Sequence, residues 1–169
     1  MPHSANSADG TIVAAAVLAV ALVVLAVSPA LAAEEPTRAE YVSQLEQICK
    51  PRSEATARAV RGVRGDVRAE RLAVAAGKFA RAERIFATTV AAIAKVPRPA
   101  ADRDTLKRWF SALGREELYL GQMVKTLRQD SVAGFQRVSA KFIHEGNRAN
   151  NAVVSFGFDY CSFKPTRFQ

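Results

Sequence analysis

Residues 102–130 read DRDTLKRWFSALGREELYLGQMVKTLRQD and carry a clear helical pattern within this chain of 169 residues. Apolar side chains recur every three or four positions, the spacing of one helix face. They are Leu106, Phe110, Leu113, Leu120, Val124 and Leu127, with Trp109 beside them. Asp102 or Asp104 is expected to cap the start, because a carboxylate there can accept a free backbone N–H. The pattern predicts one amphipathic helix of about 25 residues. Glu117 occupies the position between Leu113 and Leu120 at which the repeat calls for an apolar core residue.

A similar helical pattern precedes this segment. It begins at a capping box formed by Thr37 and Glu40. Pro51 lacks a backbone donor, so we expect the helix to kink or restart there. Gly62 and Gly65 are expected to mark the turn that ends it.

Two further segments complete the pattern. One runs from Leu72 to Val96 and stops at the Pro-Arg-Pro of residues 97–99, and the other is capped by Asp130 and reaches Phe156. Only 9 Gly and 7 Pro interrupt the chain. Four amphipathic segments with short connections predict an all-α fold, an antiparallel up-down four-helix bundle.

The N-terminal region has a different character. Residues 12–27 are uninterrupted apolar residues, and Ala30, Leu31 and Ala32 follow. This order is typical of a secretory signal, which predicts residues 1–32 as a signal peptide, residues 33–161 as the bundle and residues 162–169 as a tail. The first eleven residues lack Lys and Arg, so an uncleaved single-pass anchor over residues 12–33 stays open as an alternative.

Two cysteines lie near the two ends of the predicted bundle. In an exported protein Cys49 and Cys161 are expected to form a disulfide. No CxxC pair is present, which argues against catalytic dithiol chemistry.

Positive charge is concentrated in two places, and the chain has a formal net charge of +8. The first, here called the turn cluster, is Arg58, Arg61, Arg64, Arg68 and Arg71. The second, the helix stripe, is Arg137, Lys141 and Arg148, which share a helix face with His144. Such surfaces attract polyanions. Because export disfavours contact with nucleic acid, lipid headgroups or anionic envelope polymers are the expected partners. The other interpretation is that these charges form a solvated face that only keeps the protein soluble.

A second hypothesis concerns the middle of the bundle. Gly77, Gly114 and Gly121 lie inside helices. Glu145 and Gly146 interrupt the apolar repeat of the last helix, here called its seam, between Phe142 and Ala149. A waist of this kind could admit a close helix crossing or a small apolar ligand, and the ligand requires an enclosed cavity of about 300 Å³ or more. Tolerated glycines, with the acids turned to the edge of the apolar face, are the other interpretation.

Catalytic and metal-binding patterns are absent from the sequence. His144 projects about 200° from its seam and should be exposed, and it has no partner at metal-ligand spacing. Glu116 and Glu117 point about 100° apart, which disfavours joint acid/base work. We therefore expect a non-enzymatic module with no cofactor or metal.

Short motifs frame the domain. They are Tyr41, Ile48-Cys49, the Pro97-x-Pro99 break with Asp102 and Trp109, Asn150-Asn151 and the closing Gly157-Phe158-x-x-Cys161. Over residues 41–161 the chain resembles a group of exported helical proteins of high-GC bacteria that carries no established activity. The resemblance implies export and helical architecture and supplies no catalytic residue.

Overall fold

The computed structural model describes residues 35–162, which form an all-helical fold and contain no strand. The helices are α1 (Arg38–Ala59), α2 (Val63–Arg68), α3 (Leu72–Ile93), α4 (Arg103–Arg128) and α5 (Val132–Ala152), with 3-10 turns at Ala100–Asp102 and Val154–Phe156. The all-α class is therefore confirmed. The predicted signal peptide and residues 163–169 of the predicted tail lie outside the described residues.

Helix α1 confirms the predicted capping box. The Thr37 hydroxyl accepts the Glu40 N–H at 3.2 Å, and the Glu40 carboxylate accepts the Thr37 N–H at 2.8 Å. The helix continues through Pro51 to Ala59, so the expected restart does not occur. A proline in mid-helix removes one hydrogen bond, and here the burial of Tyr41, Leu45 and Cys49 on the same helix offsets that loss.

The turn after α1 contains a helix that periodicity did not predict. Gly62 adopts the left-handed conformation with φ 71°, but Gly65 lies inside the six-residue helix α2 and does not form a turn. A single helical element of this length is too short to display an apolar repeat.

The predicted caps of the last two long helices were wrong. Asp102 holds the position before α4 without capping it, because its carboxylate pairs with Arg38. Ser131 caps α5 in place of Asp130 and accepts the Gly134 N–H at 3.2 Å. Asp130 instead takes a positive φ of 51° in the turn.

Two helices end earlier than the pattern suggested. Helix α3 stops at Ile93, and Val96 follows in a turn before the two prolines. Helix α5 stops at Ala152, and Phe156 lies in the second 3-10 turn, where it packs edge-on against Tyr41 at 6.4 Å.

Packing follows the chain: α1 contacts α3, α3 contacts α4, α4 contacts α5, and α2 contacts α3. Apolar side chains form two buried clusters. One includes Val63, Phe79, Met123 and Phe142. The other includes Tyr41, Leu45, Trp109, Phe156 and Phe158. The predicted seam of α4 is buried except at Phe110, which is half-buried.

In the part of the chain that is described, no helix has both the length and the apolarity required to cross a membrane. The apolar residues 12–33, predicted as signal or anchor, lie outside that part.

Candidate functional site

The segment after α5 is fastened to α1. Cys49 and Cys161 lie at disulfide distance with their Cα atoms 5.2 Å apart, which confirms the predicted pairing. One helical turn before Cys49, the Glu46 carboxylate accepts backbone N–H groups from residues 159–161. Tyr160, Cys161 and Ser162 of this segment line a cavity in the helix core.

This core cavity has a volume of about 110 Å³ and lies among α1, α3, α4 and α5. Its walls are mainly apolar and include Phe86, Val90, Leu113, Leu120 and Phe142. Trp109 also contributes to the wall, and Arg52 and Ser53 contribute polar groups from α1.

Glu116 is the acidic side chain in the cavity wall. Its exposed fraction is 1%, and its Oε1 atom has no hydrogen-bond partner. Burial, together with the nearby Glu145 carboxylate, raises the pKa of Glu116 to about 8. The side chain is therefore mainly protonated at neutral pH, since the charged form would be desolvated without a counter-ion.

Glu117 was expected at the core position of α4, but the buried glutamate is its neighbour. Glu117 is half-buried, and the adjacent Glu116 is the residue that faces inward between Leu113 and Leu120. Both positions satisfy helical spacing from those leucines, since each divides the seven-residue interval into steps of three and four. The expectation that the two carboxylates diverge agrees with their different burial.

Glu145 is also buried, but it is paired. Arg115 Nε lies 2.8 Å from one of its oxygens and Arg148 Nη1 lies 3.2 Å from the other. Burial acts to raise the pKa of Glu145, but the Arg115 hydrogen bond and the charges of Arg115, Arg148 and His144 lower it below its ordinary value. His144 is exposed, as predicted.

Gly77, Gly114 and Gly121, the mid-helix glycines of the predicted waist, do not line the core cavity. No side chain or distant backbone atom lies within 4 Å of a Cβ built at Gly77 or Gly114. At Gly121 such a Cβ would lie 2.8 Å from Oε1 of Glu83, which is the end of a flexible side chain. The core cavity is lined by Glu116 and its neighbours, and a ligand site at the glycines stays a prediction.

The turn cluster is mostly exposed and unpaired. Arg58, Arg61, Arg64 and Arg68 are exposed and form no ion pair with the described residues. Arg71 differs, because it donates to the buried carboxylate of Asp66 at 2.7 Å.

Asp66 is bound from a second side as well. Lys78 of α3 donates to its other oxygen and to the Arg61 carbonyl at 2.7 Å. Hydrogen bonds from Lys78 and Arg71 lower the pKa of Asp66. The buried acid therefore ties α2 to α3.

The helix stripe is divided between two environments. Arg137 and Lys141 are exposed, whereas Arg148 pairs with Glu145. Arg148 lines an open groove of about 780 Å³ between α4 and α5, together with Lys107, Arg108 and Arg115. These three α4 residues were not predicted as site residues, although Lys107, Ser111 and Arg115 recur every four positions, the spacing of one face of α4.

A second groove lies between α2 and α5 and has a volume of about 350 Å³. Phe79, Met123 and Phe142 supply buried apolar surface. Arg64 and Arg68 line it from α2, and Phe135, Gln136, Ser139 and Ile143 line it from α5. We call it the α2–α5 groove.

Residues 35–162 contain no group of three or more His, Cys, Asp or Glu placed to hold a metal ion. No protein-family model, curated protein or solved structure matches the chain. The function is therefore inferred from the geometry and charge of its own residues.

Proposed function

We propose that this chain is a non-enzymatic, exported module of the cell envelope that binds phosphate-bearing anionic surfaces through its turn cluster. The observation that carries this proposal is the exposure of Arg58, Arg61, Arg64 and Arg68 without an acidic partner among the described residues. Asp66 lies in the middle of the cluster, but its carboxylate pairs with Arg71 and Lys78 and forms no ion pair with the four exposed arginines.

The chemistry favours phosphate. An arginine side chain presents a planar fork of donors that matches the oxygens of a phosphate group, and several such forks close together add electrostatic attraction. The net charge of +8 strengthens the approach of any polyanion. Lipid headgroups and anionic envelope polymers both provide this phosphate chemistry.

We further propose that the domain spans residues 33–161, follows a signal peptide over residues 1–32, and is built as an antiparallel up-down bundle. The apolar run and the cysteine pair support export. The packing of each long helix against the next long helix along the chain supports the up-down order. An anchor over residues 12–33 is the alternative, and intact mass of protein from the native envelope separates the two, because cleavage near Ala33 removes the segment.

The binding proposal is tested with vesicles that contain an anionic phospholipid and, separately, with soluble polyphosphate. We expect both to bind and both to weaken steeply as salt rises, because exposed charges are screened over about 10 Å at 0.1 M. Vesicle binding without polyphosphate binding would identify the lipid as the phosphate source, and the reverse would identify the polymer.

The matched variants are R58E/R61E and R84E/R103E, which reverse two positive charges each at exposed positions. We expect the first pair to weaken binding at least tenfold and the second to change it less than about threefold. Equal effects, or binding that ignores salt, would overturn the proposal.

A carrier of a small apolar ligand remains the second candidate, because the core cavity has apolar walls. Its volume of about 110 Å³ falls below the range of about 300 to 1,000 Å³ usual for ligand pockets, which places this function second. Titration with n-butanol, followed by Trp109 fluorescence, tests it. Saturable quenching would support the carrier, and a linear solvent response would remove it.

A further inference from the structure

We infer that the α2–α5 groove binds the alkyl chain of an anionic single-chain amphiphile whose phosphate headgroup contacts Arg64 and Arg68. This inference rests on the proposed function and narrows it, since it selects a ligand that has an alkyl chain as well as phosphate. The groove volume of about 350 Å³ lies within the range of small-molecule sites.

The apolar part of the groove is built from three helices. Phe79 of α3, Met123 of α4 and Phe142 of α5 are all at least 94% buried and also line the groove. Phe135 packs against Phe79 with ring centroids 5.4 Å apart. Ile143 lines the groove and remains 44% exposed, so apolar surface continues from the floor to the opening.

The charged part lies on α2. Arg64 and Arg68 are four positions apart, so their side chains share one face of the helix. Both line the groove, and both are exposed without an ion pair to a described residue. Two unpaired cations beside the apolar part of the α2–α5 groove complement an anionic headgroup joined to an alkyl chain. They would repel the headgroup of a cationic amphiphile.

The wall formed by α2 is held in position before any ligand arrives. Asp66 lies between Arg64 and Arg68 in the sequence, and its buried carboxylate pairs with Lys78 of α3. This contact fixes α2 against α3 while leaving both arginines available, which reduces the ordering cost of binding.

Ser139 supplies a polar group on the opposite wall. Its Oγ atom is buried, lines the groove and has no hydrogen-bond partner. Its hydroxyl is therefore a donor that an oxygen atom of a bound ligand could satisfy.

The experiment uses n-alkyl phosphates of six to twelve carbons, below their aggregation concentrations, with the full chain in calorimetric titrations. If the chain is buried, affinity should rise with length by up to about fourfold per methylene group. Inorganic phosphate should bind far more weakly, and dodecyltrimethylammonium should not compete with dodecyl phosphate.

The matched variants separate the groove from the rest of the turn cluster. R64A/R68A should weaken dodecyl phosphate binding at least tenfold, and R58A/R61A, with the same loss of charge outside the groove, should weaken it less than about threefold. Both variants should remain folded because all four arginines are exposed, and circular dichroism checks this.

Affinity that is independent of chain length would overturn the groove inference while leaving the proposed phosphate binding intact. Equal effects of the two variant pairs, or competition by the cationic amphiphile, would also overturn it. If the wild type bound neither polyphosphate nor vesicles but still bound dodecyl phosphate with the expected dependence on chain length, the proposed function would be overturned and the groove inference would stand.

Discussion

The carboxylate of Glu46 accepts the backbone N–H of Tyr160 through both of its oxygens, at 3.1 and 3.0 Å, across 114 positions of sequence. The same carboxylate accepts the N–H groups of Asp159 at 2.9 Å and Cys161 at 3.3 Å. Cys49 follows one turn later on α1 and pairs with Cys161. A polar and a covalent contact therefore fasten the same short segment to the same helix face.

Replacing Glu46 with alanine should lower the free energy of unfolding by about 1 to 3 kcal/mol, because several backbone donors lose a charged acceptor. Thermal unfolding measures the change, and hydrogen exchange should accelerate at residues 159–161. The control is E54A on the exposed part of α1. Equal stability of the two variants would contradict the proposed contribution of Glu46.

Replacing Cys49 and Cys161 together with alanine should lower the melting temperature and preserve helicity. The cysteines are 112 positions apart, and cross-linking a loop of that size stabilises by at most about 4 to 5 kcal/mol on the loop-entropy model. The two apolar clusters remain, so far-ultraviolet circular dichroism should retain its helical shape. Alkylation of the unreduced, denatured wild type should label neither cysteine, and labelling of both would show that the pair is reduced.

Stability should fall as pH rises from about 4.5 to about 8. In this window the folded protein keeps the Glu116 proton, whose pKa is raised to about 8, while the unfolded chain releases it at the ordinary 4.5. The free energy of unfolding should decrease by at most about 5 kcal/mol in all, and it levels off above the pKa of Glu116 in the folded protein. Denaturant titrations at several pH values measure it.

The variants for this prediction are E116Q and E117Q. Glutamine cannot ionise, so E116Q should remove most of the fall and exceed the wild type in stability at pH 8. The half-buried neighbour Glu117 provides the control, since E117Q retains the buried acid. A fall that persists in E116Q would show that another group causes it.

Two glycine substitutions should act in opposite directions. Gly114 is exposed in α4 and a Cβ there meets nothing within 4 Å, so G114A should stabilise by about 0.5 to 1 kcal/mol through helix propensity. At Gly134 a Cβ would lie 2.7 Å from Ser131 Oγ and 3.2 Å from Thr126 Cγ2. G134A should therefore disturb the cap of α5 and destabilise by about 1 kcal/mol. Denaturant titrations measure the free energy of unfolding of both variants. Stabilisation by G134A as well as by G114A would show that the close contacts at Gly134 do not destabilise the variant.

The sequence pattern predicted correctly those contacts whose two residues are close together in the sequence. The Thr37/Glu40 box was correct because its two residues are three positions apart and satisfy each other. Asp102 has the same capping propensity, but Arg38, 64 positions away, takes its carboxylate. Nothing in the sequence around Asp102 indicates that competitor.

The candidate sites divide in the same way. The charge of Arg64 and Arg68 was apparent from the sequence, but the apolar wall beside them comes from three other helices. Glu116 and Glu117 fit the α4 repeat equally well, and only the placement of the neighbouring helices decides which is buried. Helix α2 is joined to α3 by the contact of Asp66 with Lys78, which spans 12 positions and appears in no periodic pattern.

The Cys49–Cys161 bond also changes what proteolysis can do to this domain. Each connection between the five helices lies between those two cysteines, at residues 60–62, 69–71, 94–102 and 129–131. Exposed connections are the preferred points of cleavage. A single nick in any of them would leave both pieces covalently joined, so the cut protein would keep its full mass on a non-reducing gel and separate only after a reductant is added.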